Sequence, residues 1–259
     1  MVDRLTPDLT SRNIRNAGES LRGLLREIQG WDTVIVEDDF LTYKTAAELV
    51  SGYPAVVTGT DGSFDASLTG ISGEATVDVG DGGTSGDNEY GGQALSHLQW
   101  KGDLNAFFVA RIKISNVGTV KVEVGFTDAI TGDAGAVDTL ATYSTNADDW
   151  AGWIIDTDDT ATWQATGVKA TTEATKNESS SIVAPVADTY QYMGVFLDGD
   201  NAMFMQWDAS GRKIGETLSV DSAIEGGTAV CPWVFVQNRA ASQDRLITLD
   251  YFMVGQRRS

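Results

Sequence analysis

Cysteine and histidine are almost missing from this sequence. Cys231 is the only cysteine, so no disulfide can form within the chain, and its apolar neighbours predict a buried thiol. His97 is the only histidine, and no Gly-x-Ser-x-Gly turn surrounds any serine. A Ser/His/Asp centre needs a histidine beside a nucleophile, and a zinc site needs several His or Cys ligands close together. We therefore predict no catalytic triad and no metal site built from histidine and cysteine.

Positive charge is also scarce. Lysine and arginine number 18 against 37 aspartates and glutamates, which gives a formal net charge of −19. A surface this acidic repels phosphate backbones and anionic headgroups, so we expect no direct nucleic-acid binding and no membrane docking. No apolar run is long enough to span a membrane, and the opening MVDRLTPDLT contains no signal-peptide core. We expect synthesis in a reducing cytoplasm.

The most regular pattern present covers residues 103–128, DLNAFFVARIKISNVGTVKVEVGFTD. Apolar residues occupy alternate positions on both sides of Ser-Asn-Val-Gly, which predicts two half-buried β-strands. We interpret the arms as a β-hairpin that forms one wall of a core. Its apolar residues are Phe108, Ala110, Ile112, Ile114, Val120, Val122, Val124 and Phe126. The opposite face then carries Arg111, Lys113, Lys121 and Glu123.

Short apolar stretches separated by Gly- and Asp-rich turns continue along the chain. Residues 190–197 and 202–207 flank Asp-Gly-Asp-Asn and predict a second hairpin. We interpret residues 230–237 and 246–254 as the last strand pair, and residues 128–150 as a long surface loop. About a dozen short strands without alternating helices predict an all-β fold, an antiparallel β-sandwich.

Residues 80–92, GDGGTSGDNEYGG, form a loop rich in glycine and aspartate. Its carboxylates and carbonyls are the oxygen ligands that Ca²⁺ prefers, but the aspartate spacing is not that of an EF-hand loop. A cation-binding loop and a plain solvated turn both remain open as interpretations. We predict no cofactor for the protein.

Residues 1–30 differ from the remainder, because five arginines stand against four acids. Apolar residues recur in the heptad pattern of a helix, and Gly30 is placed to end it. About two heptads are too few to be stable alone, so the stripe must pack on the chain's own sandwich, on a second copy or on another protein. We therefore predict an α-helical anchor or oligomerisation segment at 1–30, followed by a sandwich domain at 31–259. Its predicted contact residues are Ile14, Ala17, Leu21, Leu24, Ile28, Arg15, Arg22 and Arg26.

The order of these stretches resembles the concanavalin A-like, laminin-G-like jelly rolls. Asp-Asp-Phe at 38–40 precedes the central strand pair, a Tyr-x-Tyr … Asp-Gly-Asp stretch at 190–205, and a closing strand ending LDYFMVG at 249–255. The resemblance covers about residues 31–257. The phrasing of residues 100–128 is similar to jelly-roll proteins of tailed-bacteriophage virions. This resemblance implies a fold and a setting, and it carries no catalytic residue.

Jelly rolls of this superfamily include glucanases that use two carboxylates. Those relatives carry Glu-x-Asp-x-x-Glu on a strand, and the sequences that begin at Glu123 and Asp156 depart from that motif. We therefore predict that the protein is not an enzyme. Sugar binding is another alternative, because Trp150, Trp153 and Trp163 could form a platform for sugar rings. The competing interpretation is that these tryptophans fill the core.

Our leading expectation is a structural protein of a bacteriophage particle, specifically a decoration protein attached to the major capsid protein. The alternatives are a tail or fibre component, a lectin-like carbohydrate-binding module and, least favoured, a glycanase. Residues 1–30 would hold the chain as a homo-oligomer, expected to be a trimer, on the capsid surface. Synthesis would take place in the cytoplasm of the bacterial host.

Overall fold

The computed structural model describes residues 20–24, 32–41, 52–67, 73–80, 88–130, 134–174, 176–241 and 243–258. Within these ranges the chain is almost entirely β. Residues 21–24 form one helical turn, which belongs to the predicted N-terminal helix, and a 3₁₀ turn covers Gly102–Leu104. No helix in this part of the chain is long and apolar enough to cross a membrane.

The described residues form seventeen strands, labelled in chain order. They are β1 (Thr33–Asp38), β2 (Ala55–Thr58), β3 (Ser63–Ser67), β4 (Glu74–Asp78), β5 (Tyr90–Ala94), β6 (Phe107–Ile114), β7 (Val120–Thr127), β8 (Val137–Thr139), β9 (Ser144–Thr145), β10 (Trp150–Asp156), β11 (Thr160–Lys169), β12 (Thr172–Glu173), β13 (Gln191–Asp198), β14 (Asn201–Asp208), β15 (Lys213–Val220), β16 (Cys231–Asn238) and β17 (Leu246–Arg257).

Two antiparallel sheets stack face to face, which confirms the predicted jelly-roll sandwich. The eight-stranded sheet runs β15-β14-β13-β6-β17-β4-β3, and β1 pairs with the C-terminal half of β17. The seven-stranded sheet runs β12-β11-β10-β7-β16-β5-β2. Strands β8 and β9 form a separate two-stranded ribbon.

The two arms of the 103–128 pattern are strands, as predicted, but they do not form a hairpin. Strand β6 pairs with β13 and β17, whereas β7 pairs with β10 and β16 in the other sheet. The connection therefore crosses between sheets, and Arg245 holds it by donating to the Gly118 carbonyl (2.8 Å) and to Thr119 Oγ1 (2.6 Å). The hairpin prediction is wrong because alternation determines the apolar face of each strand but not its neighbour.

The predicted apolar parity of these arms is confirmed, and its residues meet across the core. All eight alternating apolar residues are buried in one cluster. The ring centroids of Phe108 on β6 and Phe126 on β7 lie 5.9 Å apart. Trp153 on β10 approaches Phe204 on β14 in the same way, at 5.5 Å. The arms are opposing walls of the sandwich, not neighbours in one wall.

The two later predictions of strand pairs have different outcomes. Strands β13 and β14 pair over their full length, which confirms the hairpin at 190–207, and Gly199 in its turn has φ +58°. Glycine adopts this left-handed conformation without steric cost. Strands β16 and β17 match residues 230–237 and 246–254, but they belong to different sheets. Their predicted pairing is wrong for the same reason as before.

The sequence pattern does not predict strand β5, because the strand is rich in glycine. Its sequence, YGGQA, overlaps the predicted loop at 80–92 and shows no alternation of large apolar residues. A Cβ added to Gly91 would lie 2.5 Å from the carbonyl oxygen of Asp78, in the opposite sheet. The glycine is needed for this close approach of two backbones.

The prediction of a long surface loop at residues 128–150 is wrong for the part that the structure describes, because residues 134–149 contain a β-ribbon and buried side chains. Residues 134–149, here called the strap, contain the β8–β9 ribbon and lie on the outer face of the seven-stranded sheet. Its small side chains pack on Trp150, Ile154 and Trp233 in a second apolar cluster. The buried strap residues are Ala136, Val137, Leu140 and Ala147. A segment with so few large apolar residues is typical of a loop in sequence, although its side chains suffice to cover the aromatic residues of the sheet.

Candidate functional site

The outer face of the eight-stranded sheet is apolar over the half that contains the start of β6. Seven large side chains form this methionine-rich face: Phe107, Val109, Phe196, Met203, Met205, Trp207 and Met253. Three of the five methionines of the chain lie here. Leu21 and Leu24 pack against the face, and both are buried.

Backbone hydrogen bonds fix the turn that carries these two leucines. Ser20 Oγ accepts from the Gly23 nitrogen at 3.1 Å, which is the usual arrangement of a helix N-cap. The Leu24 nitrogen donates to the Ser20 carbonyl at 3.1 Å, and the Leu21 nitrogen donates to the Gly211 carbonyl at 3.0 Å. Of the alternatives for the apolar stripe, packing on the chain's own sandwich is what the structure shows for Leu21 and Leu24.

Arg22 lies between the two leucines in sequence, and it is exposed. The described turn therefore places its apolar side on the sheet and its arginine toward solvent. The boundary proposed at residue 30 lies outside the described residues. So do five of the predicted contact residues: Ile14, Ala17, Ile28, Arg15 and Arg26.

The other half of the same outer face is polar, aromatic and partly exposed. We call it the tyrosine–arginine surface, and it consists of Arg111, Lys113, Tyr190, Tyr192, Asp250 and Tyr251. The Arg111 guanidinium carbon lies 4.0 Å from the ring centroid of Tyr190 and 5.7 Å from that of Tyr192. Its Nη1 is 2.5 Å from an Asp250 carboxylate oxygen. A cation held between aromatic rings and paired with a carboxylate forms the centre of this surface.

The tyrosine hydroxyls of this surface stay protonated well above neutral pH. Burial, followed by a hydrogen bond to Glu74, raises the pKa of Tyr190. Burial and the nearby Glu37 raise the pKa of Tyr251, whose hydroxyl donates to Glu37 Oε2 at 3.0 Å. Burial also raises the pKa of Tyr192. These groups therefore act as ring faces and hydrogen-bond donors, not as bases.

An acidic groove of about 490 Å³ adjoins Tyr251 and includes the two aspartates of the Asp-Asp-Phe stretch. Its lining residues are Glu37, Asp38, Asp39 and Tyr251. Asp38 accepts from the Phe40 nitrogen and from the Tyr53 hydroxyl, both at 2.7 Å. Phe40, at φ +58°, is buried in the core. The carboxylate of Asp38 thus holds the turn that inserts a phenylalanine into the sandwich.

The strap covers a buried ion pair on the outer face of the seven-stranded sheet. Lys121 and Glu123 are fully buried, with 3.1 Å between Nζ and Oε1. Lys121 donates to the carbonyls of Ala134 and Val137, and Glu123 accepts from the nitrogens of Ala136 (2.9 Å) and Val137 (3.0 Å). Burial lowers the pKa of Lys121, against the attraction of Glu123. The pair binds the backbone of the strap.

A second ion pair under the strap joins Asp156 to Arg239. Arg239 Nε lies 2.9 Å from one Asp156 carboxylate oxygen, and its Nη2 lies 2.5 Å from the other. The Leu140 nitrogen of the strap also approaches this carboxylate, at 3.4 Å. Carboxylates that hydrolyse a glycosidic bond must reach the substrate. Glu123 and Asp156 are buried and bonded to the strap and its supports, so neither is accessible.

The three tryptophans of the predicted sugar platform are all buried. Trp153 and Trp163 belong to the core between the sheets, and Trp150 lies under the strap. Trp150 Nε1 donates to Thr166 Oγ1 (2.8 Å), and Trp153 Nε1 donates to the Gly194 carbonyl (3.0 Å). Stacking of a sugar needs an exposed ring face, which none of the three offers. Their role is the core one, and the platform interpretation is wrong.

The lone cysteine is buried, whereas the lone histidine is exposed. Burial raises the pKa of the Cys231 thiol to about 12, so it is unreactive at neutral pH. His97 is exposed beside strand β5. Among the described residues no group of three His, Cys, Asp or Glu side chains could hold a metal ion. Most of the loop at 80–92, residues 81–87, lies outside them.

Comparison with solved structures shows what fold this chain shares. It is similar to a protein of unknown function from Shewanella oneidensis, with TM-score 0.55 and 14% identity over 86% of each chain. Peanut lectin aligns with TM-score 0.53 and 10% identity over 86% of this chain and 97% of the lectin. A Bacillus licheniformis β-glucanase aligns with TM-score 0.50 and 12% identity over 87% and 98%. No protein-family model and no curated protein matches the sequence. The chain therefore has the concanavalin A-like jelly-roll fold of these lectins and this glucanase.

Proposed function

We propose that this protein is a non-enzymatic structural component of a bacteriophage particle, specifically a decoration protein on the capsid shell. The burial of Glu123 and Asp156 beneath the strap carries the non-enzymatic part, because a hydrolase needs such carboxylates open to substrate. The virion setting is supported by the resemblance of residues 100–128 to virion jelly rolls. An excess of acid, −19 overall, suits a particle surface that must stay dispersed.

Attachment in this proposal uses the cationic side of residues 1–30. Leu21 and Leu24 pack against the methionine-rich face, whereas Arg22 is exposed. Arg15 and Arg22 are one heptad apart and Arg26 is four residues further on, so a continuous helix would align the three. The partner is an acidic site on the major capsid protein, where the chain assembles as a homotrimer.

Charge reversal tests the attachment. Shells purified without this protein are mixed with the wild-type chain or with a variant carrying Arg15→Glu, Arg22→Glu and Arg26→Glu, and then sedimented. We expect the variant to remain in the supernatant, since three attractive charges become repulsive. The matched control reverses Lys101, Lys169 and Arg258, which lie on the sandwich away from the N-terminal turn, and should still sediment with the shells. A wild-type chain that binds no shell at any concentration would contradict the capsid role.

Carbohydrate binding is the second candidate function, and the tyrosine–arginine surface favours it. Two partly exposed tyrosines, Tyr190 and Tyr192, lie against Arg111 there, which offers ring faces beside charged donors and acceptors. On a glycan array, Tyr192→Ala should abolish any binding seen with the wild type. Trp153→Phe in the core should preserve it. Binding that survives Tyr192→Ala would place the sugar elsewhere, and release of reducing ends from host polysaccharide would contradict the non-enzymatic proposal.

A further inference from the structure

We infer that the methionine-rich face is a docking groove for the apolar stripe of the chain's own N-terminal segment. This inference rests on the proposed function and deepens it. It assigns the apolar side of residues 1–30 to the chain itself and leaves the arginine side for the particle. The segment is then a latch on the sandwich, and its stripe is not a coiled-coil seam between copies.

The occupant is identified by the residues already seated on the face. Leu21 and Leu24 are spaced i and i+3, which is the spacing by which an amphipathic helix enters an apolar groove. The backbone is joined at the same place, because Ser20 forms a β-bridge with Arg212 and Leu21 donates to Gly211. In the sequence, Ile14, Ala17 and Ile28 continue the same stripe on either side of this contact.

The chemistry of the face suits a docked helix. Its residues come from β6, β13, β14 and β17, so it crosses four neighbouring strands, about 14 Å at the usual strand spacing. Gly194 lies within it, where a Cβ would be 2.7 Å from the Trp207 ring, so that ring can lie flat across β13. Methionines adapt their shape to the residue that packs on them. An apolar face of this size left open to water would be an aggregation site.

The same positions cannot serve two partners at once. A heptad seam between copies would need Leu21 and Leu24, yet both are buried against the sheet of their own chain. An oligomer built by this segment must therefore use its other side or a different surface. The sequence pattern alone allows the segment both to pack on its own sandwich and to contact another molecule. The burial of the two leucines assigns the apolar side to the first role.

Thiol accessibility in the full chain tests the docking. Cys231 is buried and contributes little background. We expect Leu24→Cys to react with a thiol reagent roughly 100-fold more slowly than its matched control Arg22→Cys, because only opening of a local element exposes the first. Circular dichroism verifies that both variants keep the fold. Equal reaction rates in two folded variants would overturn the inference.

A disulfide trap determines whether docking occurs within one chain. A Cβ placed on Gly211 would lie 3.6 Å from the Leu21 Cβ, within the range that a disulfide spans. The Leu21→Cys, Gly211→Cys variant should oxidise to a species that migrates as a single chain on a non-reducing gel and has lost both introduced thiols; a single chain that keeps them would also overturn the docking. Crosslinked dimers or trimers instead would overturn docking within the chain. Because Gly211 has φ +78°, Gly211→Ala serves as the folding control, and the thiol assay does not depend on it.

The two experiments fail independently of shell binding. A chain that passes both thiol tests but binds no shell contradicts the decoration role and leaves the latch intact. A chain that binds shells but shows equal reactivity at residues 22 and 24 contradicts the latch alone.

Discussion

Each sheet has part of its outer face covered by a segment of the chain itself, but the two covers are held in different ways. The strap is held over the seven-stranded sheet by two buried ion pairs and by its own backbone. Residues 20–24 are held over the eight-stranded sheet by two leucines, with few backbone bonds. Removing one partner of a buried ion pair leaves an unpaired buried charge and lowers the stability of the fold strongly. Removing an apolar contact lowers the stability in proportion to the apolar surface that was buried. We therefore expect substitutions to destabilise the strap more than they destabilise the turn at residues 20–24.

The largest effect is expected at the ion pair under the strap. Glu123→Gln leaves Lys121 buried without its carboxylate, and we expect a loss of about 3–5 kcal/mol in the free energy of unfolding. Urea denaturation measures this loss. The exposed pair Arg212–Asp208 is the control, where Arg212→Ala should cost less than about 1 kcal/mol. Similar losses for the two variants would remove the distinction between the covers.

The next effect is expected where the N-terminal turn meets the methionine-rich face. Leu24→Ala deletes a fully buried side chain and should cost about 2–4 kcal/mol. Arg22→Ala, its exposed neighbour, should stay within about 0.5 kcal/mol of the wild type. The same denaturation series compares the two. A cost below about 1 kcal/mol for Leu24→Ala would mean that the turn contributes little to the sandwich.

Alkaline pH tests the contribution of Tyr143, the tyrosine of the strap. Burial raises the pKa of Tyr143, whose hydroxyl donates to the Gly167 carbonyl at 2.6 Å, above its unfolded value of 10.0. A folded pKa above the unfolded one gives stability that is complete below pH 10 and is lost as pH rises further. Tyr143→Phe should therefore lose less stability than the wild type between pH 10 and 11. Identical slopes for the two proteins would contradict this assignment.

The smallest effect is expected from methionine exchange. Met205→Leu conserves volume on an adaptable face and should change stability by less than about 1.5 kcal/mol. Differential scanning calorimetry can resolve a shift of this size. A cost near that of Leu24→Ala would show that the face is packed as tightly as the core.

Local periodicity was enough to predict the strands and the sandwich, but not the pairing across it. In a hairpin and in a crossing between sheets the apolar parity of the two arms is the same, so residues 103–128 look alike in both. The choice depends on contacts far away in sequence, such as Arg245 on Gly118 and Thr119. The tyrosine–arginine surface was missed for the same reason. Tyr192 and Arg111 face each other only because β13 pairs with β6.

The chain passes repeatedly from one sheet to the other, and two of these crossings follow β6 and β16. As a result, the central strand β6 of the eight-stranded sheet has neighbours that come much later, β13 and β17. Such a sheet closes only after long loops have been ordered, which makes folding slow. During synthesis, the backbone groups on both edges of β6 stay unpaired until β13 and β17 have been synthesised. We therefore expect the nascent chain to be prone to aggregation around β6 until β13 and β17 have been synthesised.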